Sequence, residues 1–82
     1  MATARALLEM HTAELERAVA RGEVLVGMNA AQVRRAWGAP DKVNRTQRAT
    51  GTSEQWTYSP TRTKRHYVYL DDGMVQSIQT LE

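Results

Sequence analysis

Eighty-two residues carry no cysteine, eleven Lys and Arg, nine Asp and Glu, and a net charge of +2. That length suits a single domain over residues 1–82 with one small core, and the missing cysteines exclude disulfides, thiolate nucleophiles and thiolate metal sites. No apolar run approaches the roughly 18 residues of a membrane-spanning helix; Glu9 comes too early for a signal-peptide core and no lipid-accepting Cys follows, so the chain reads as soluble and unanchored.

Thr3 suits the cap of a first helix running to about Arg21, within an N-terminal segment 1–22. Leu8, Leu15 and Val19 form its apolar stripe, with Ala4, His11 and Ala18 beside it and Glu9, Glu16, Arg17 and Arg21 facing elsewhere. Gly22 is a stop signal, and the short apolar link Glu23–Val26 opens the core segment 23–80.

The stretch Gly27–Pro40 spells out a complete short helix. Asn29 suits the N-cap, and Gln32 can reach back to the cap's backbone N–H in a capping box. Val33 and Trp37, four apart, share one face; Gly38 supplies a left-handed position and Pro40 forbids continuation. So short a helix is marginal alone, so Val33 and Trp37 predict a docking face, with Trp37 buried against the sheet near Trp56 or Val68.

Beyond Pro40 the period changes from helical to two. Val43–Arg48 reads as a polar edge strand, 49–52 as a turn, and Glu54–Tyr58 as a strand with Trp56 and Tyr58 on one face. A loop over 59–63 leads to Arg65–Leu70, where Val68 and Leu70 point one way and Tyr67 and Tyr69 the other. Asp72-Gly73 suits a hairpin turn, and Met74–Gln79 closes the sheet. This order predicts an α+β domain: two N-terminal helices packed on one face of a three- or four-stranded antiparallel sheet. Tyr67 and Tyr69 then lie on the uncovered face.

Catalytic chemistry has no visible foothold. His11 and His66 occupy different elements with no carboxylate at metal-ligand spacing, Asp71 and Asp72 are explained by the turn at Gly73, and Ser53, Ser59 and Ser77 lack a nucleophile-elbow context. There is no Gly-rich phosphate loop. The expectation is a chain without catalytic or metal-binding residues and without a cofactor.

The Gly27–Pro40 stretch resembles the motif of the SmpA/OmlA (BamE-like) family and of the related repeats of β-lactamase inhibitor protein. The resemblance rests on Gly27, Met28, Asn29, Gln32, Val33, Gly38 and Pro40, with Trp37 inside the motif. Trp56 with Tyr58, Val68 with Leu70, and Asp72-Gly73 with Val75 and Ile78 continue it, so that it covers about residues 23–80. It implies a non-catalytic scaffold or protein-binding module working at the bacterial cell envelope; its motif residues look like folding determinants.

A partner surface is sought among Trp56, Arg62, Lys64, Arg65, Tyr67 and Tyr69, because Tyr and Trp are enriched at protein interfaces. Residues 42–70 carry six basic side chains against Glu54 alone, so a nucleic acid or an anionic lipid is the alternative partner. An enzyme-inhibitor or accessory role is a third reading, from the resemblance to β-lactamase inhibitor protein. The plainer reading, which comes first, is that the tyrosines coat a half-exposed sheet and the charges guard its edges.

Overall fold

Helical periodicity ends at Trp37 and strand alternation begins at Lys42, and the architecture divides there. A computed structural model describes the backbone of residues 4–81 and the side chains of residues 11–81. Two helices, α1 (Ala4–Ala20) and α2 (Ala30–Trp37), precede four strands: β1 (Lys42–Arg48), β2 (Gly51–Tyr58), β3 (Arg65–Asp71) and β4 (Met74–Leu81). The strands form one antiparallel sheet in the order β1-β2-β3-β4, a meander. This is the expected α+β arrangement, with four strands.

α1 buries Leu15, Ala18 and Val19. The expected Thr3 cap and the side chains of Ala4, Leu8 and Glu9 lie outside the described residues. At its other end the Glu23 N–H donates to the Ala18 carbonyl at 2.9 Å and the Gly22 N–H to that of Val19 at 3.0 Å. These two nested bonds satisfy carbonyls the helix would otherwise leave unpaired. Glu16, expected to face away, is instead half-buried against α2. Its carboxylate accepts from Arg35 at 2.9 Å and from the Gln32 amide at 3.4 Å, which joins the two helices.

The capping box at α2 is complete. The Gln32 N–H donates to Asn29 Oδ1 at 2.8 Å, and the Asn29 N–H donates to Gln32 Oε1 at 2.9 Å. Gln32 is buried, so its amide is held by the cap on one side and by Glu16 on the other. Gly38 ends the helix at φ +82°, ψ −166°, an extended positive-φ conformation that glycine alone adopts without strain, and its N–H returns to the Arg34 carbonyl at 2.7 Å.

The docking face is real, but its two members differ in depth. Val33 is fully buried, whereas Trp37 is only half-buried. The space beneath α2 is taken by Met28, Val33 and Trp56, all within the core. Trp37 therefore lies at the margin. It packs edge-to-face on Tyr58, with ring centroids 5.3 Å apart, rather than on Trp56 or Val68 as expected. Its indole N–H donates to the Gly22 carbonyl at the end of α1, at 3.0 Å.

On the sheet's inner face Trp56, Tyr58, Val68, Leu70 and Val75 join the helix residues in one core. Val75 and Ile78 are three residues apart, a spacing that a regular strand would send to opposite faces. A bulge resolves it: Leu70 pairs with Val75 but Tyr69 with Ser77, so Gln76 is the extra residue and Ile78 comes back opposite Val68. The expected turn at 49–52 is shorter than predicted, because Gly51 and Thr52 already pair with Arg48 and Gln47. Asp72 holds Thr52 in the ladder, donating its N–H to the Thr52 carbonyl at 2.8 Å and accepting the Thr52 N–H at 3.0 Å.

The two sheet edges are treated differently. The start of β4 is covered by the motif segment, whose Gly27 N–H donates to the Val75 carbonyl at 3.0 Å while the Val75 N–H donates to the Met28 carbonyl at 2.8 Å. Among the described residues the β1 edge pairs with no further strand, and all seven residues of β1 are exposed.

Candidate functional site

Antiparallel register decides which residues share the face that the helices leave open. One row runs Lys42, Thr57, Tyr67, Gln79, and the next runs Asn44, Gln55, Tyr69, Ser77. Arg65 extends the first end of that face by strand alternation. Tyr67 and Tyr69 are half-buried there among polar neighbours, and the Tyr69 hydroxyl donates to Gln79 Oε1 at 3.3 Å. Beside Tyr69 lies a shallow depression of about 390 Å³, lined in part by Asn44, Gln55 and the bulged Gln76.

Of the residues read from the sequence as a partner surface, Arg65, Tyr67 and Tyr69 therefore stand on one face, and Lys42 joins them. Arg62 is exposed in the β2–β3 loop; Lys64 is half-buried at the loop's end, its N–H donating to Thr61 Oγ1 at 3.0 Å. Trp56 does not belong with them. It is 1% exposed, on the opposite face, because strand alternation puts it with Tyr58 and Val68 in the core. The Arg34 guanidinium lies 4.8 Å from its ring centroid and roofs it.

The basic middle of the chain is partly neutralised in the fold. Arg45 pairs with Glu54 across β1 and β2 at 3.1 Å, and Arg48 reaches Asp71 on β3 at 3.2 Å. Arg48 also hydrogen-bonds the Ser53 hydroxyl, which donates to the same Asp71 oxygen at 2.6 Å. No three or more His, Asp or Glu among the described residues are grouped to hold a metal ion, and no described helix is long and apolar enough to cross a membrane.

A second concavity lies at the other side of the sheet, where α2 ends. Trp37, Tyr58, His66, Asp41, Ala39, Ser59 and Pro60 line a groove of about 460 Å³. Tyr58 and His66 are register partners on β2 and β3, which brings His66 to 5.0 Å from Trp37, centroid to centroid. The Tyr58 hydroxyl donates to the Gly38 carbonyl at 2.9 Å, and burial pushes its pKa up to about 12, with Arg34 opposing and Asp41 adding to the shift. Asp41 is anchored by the Ser59 N–H, which donates to Oδ2 at 2.7 Å. Sequence reasoning missed this groove. Its residues are spread from 37 to 66, and only the aromatic character of Trp37 and Tyr58 hinted at it.

Comparison with protein-family models, with curated proteins and with solved structures returns no match for this chain. Architecture defines its class: a small α+β fold of two helices followed by a four-stranded antiparallel meander.

Proposed function

We propose that this chain is a non-catalytic protein-binding module of BamE-like kind, whose open sheet face receives a partner protein. The observation that carries the reading is the exposed side of the sheet, where Tyr67 and Tyr69 sit beside Lys42 and Arg65 with no helix above them. Tyrosine suits such a surface because it offers a large rigid contact area with a polar tip, at little entropy cost. The motif from Gly27 to Pro40 supports the family reading and, through it, a setting at the bacterial cell envelope. The motif's cap, core and terminating residues, Asn29, Gln32, Met28, Val33 and Gly38, serve the fold, which favours the open face as the place where a partner protein is received. Binding of nucleic acid or anionic lipid is the weaker reading, because Arg45 and Arg48 are drawn into ion pairs with Glu54 and Asp71.

Affinity capture from the source cell, comparing the native chain with the Tyr67→Ala, Tyr69→Ala double variant, tests the assignment. Loss of a specific protein from the variant's captured set is the expected result. Equal recovery of every protein by the two would remove the open face from consideration. Binding to oligonucleotides or acidic vesicles that collapses as salt rises would favour the electrostatic reading instead.

A further inference from the structure

We infer that the groove at the end of α2 is a binding site for an organic ammonium group, separate from the open sheet face. Three aromatic rings from three elements converge on it: Trp37 from α2, Tyr58 from β2 and His66 from β3. Trp37 and Tyr58 meet at 79° between ring planes, while His66 lies tilted against Trp37 at 38°. Tyr58 and His66, with centroids 5.3 and 5.0 Å from that of Trp37, pack directly against it, so the three rings form one continuous aromatic surface along the groove on which a guest would rest. The groove's volume of about 460 Å³ falls in the range of small-ligand sites, roughly 300–1,000 Å³.

Charge selects the class of ligand. The rim carries one carboxylate, Asp41, whose Oδ2 is held by the Ser59 N–H at 2.7 Å, so the acid is fixed against the groove. Aromatic faces carry negative potential, and a carboxylate beside them adds to it, so a cation with an apolar skin is the complementary guest. One polar group on each of the three rings is already engaged. The Trp37 indole N–H donates to Gly22, the Tyr58 hydroxyl donates to Gly38, and His66 Nδ1 bonds Thr80 Oγ1 at 2.9 Å. A guest dense in hydrogen-bonding groups would find few partners on these rings, whereas an alkylammonium needs none of them. Arg34 is a competing cation: it lies over the Trp56 ring and not among the residues lining the groove, but its charge reaches Tyr58, where it opposes that of Asp41. An ammonium of this kind comes either from a free small amine or from a lysine side chain of another protein, methylated or not.

The test uses the whole chain and NMR titration at millimolar concentration with choline and with 3,3-dimethyl-1-butanol, its uncharged isostere. Choline is expected to shift the Trp37 indole N–H and the Tyr58 and His66 ring signals in a saturable way while leaving Trp56 unmoved. The isostere should bind at least about fivefold more weakly. The same loss, about fivefold, is expected for Asp41→Asn, which keeps an oxygen for the Ser59 N–H and removes only the charge. Parallel titrations with Nα-acetyl-lysine amide and its Nε-trimethylated form, both cationic at the side chain, identify the source: tighter binding than choline indicates a protein side chain, and weaker binding a free amine. Equal response to choline and its isostere, no saturable response to any ammonium probe, or unchanged affinity in Asp41→Asn would each overturn the inference. The comparison of the two isosteres in the native chain holds even if the variant is unstable. Loss of the open-face partner leaves this result untouched, since no residue is shared.

Discussion

Met28 and Val75 lock the motif to the sheet. The Val75 N–H donates to the Met28 carbonyl at 2.8 Å, and both side chains are fully buried. The approach depends on Gly27, the neighbour that takes φ +99° and brings its own N–H to the Val75 carbonyl. A Cβ added at Gly27 would stand 2.9 Å from His11 Nε2. Gly27→Ala is therefore expected to lose about 1–3 kcal/mol in chemical denaturation, mostly from backbone strain because the His11 ring can yield. Met28→Ala should cost more, about 2–5 kcal/mol, as a core cavity does.

The capping box makes a separable prediction. Asn29→Ala removes one acceptor at the start of α2 and should lower stability by about 1 kcal/mol. Gln32→Ala breaks the reciprocal bond and also the contact to Glu16, so its loss should exceed that of Asn29→Ala in the same denaturation series.

The two tryptophans should respond in opposite order to the emphasis their sequence contexts suggest. Trp56→Ala opens the centre of the core and is expected to cost about 3–5 kcal/mol. Trp37→Ala removes a half-buried ring and should cost less, about 1–3 kcal/mol. Trp56 Nε1 is buried with no hydrogen-bond partner among the described residues. Trp56→Phe relieves that orphan donor, worth about 1–3 kcal/mol, which offsets part of the lost packing, so this variant should fall well short of the alanine penalty.

Strand β4 can be tested by deletion. Removing Gln76 takes out the bulged residue and leaves Val75 and Ile78 two positions apart, both still facing the core. The variant should remain folded by thermal melting and amide exchange. Removing Gln55 from the regular strand β2 changes the phase between Glu54 and Trp56 and should unfold the chain.

Alkaline pH should destabilise the fold through Tyr58. Its hydroxyl ionises at about 12 in the folded chain against 10.0 for an ordinary tyrosine, because burial disfavours the phenolate. The folded state thus holds a proton that the unfolded state releases first. Stability is full below pH 10.0 and falls as pH rises towards about 12. Tyr58→Phe should flatten that limb in the difference between native and variant melting curves. It should also lower stability at neutral pH, since the bond to the Gly38 carbonyl is lost.

Local signals were enough for the elements. Asn29, Gln32, Gly38 and Pro40 act through groups within a few residues, so the helix they bound was legible before any fold was known. Strand alternation likewise separated Val68 and Leu70 from Tyr67 and Tyr69, and Asp72-Gly73 marked its turn. Glu16 was misread because its partners, Gln32 and Arg35, lie one helix away. Ile78 could not be phased from its own strand, because a bulge is a property of a pair.

By itself, then, the sequence determined the order of helices and strands, the caps and turns between them, and the identity of most core residues, since these follow from backbone sterics, short-range hydrogen bonds and the periods of helix and strand. Tertiary structure alone decided that Trp56 and not Trp37 fills the centre, that the motif segment covers the edge of β4, and that Trp37, Asp41, Tyr58 and His66 meet in one groove. Those outcomes depend on which residues compete for the same volume, and that competition exists only once the helices are laid on the sheet.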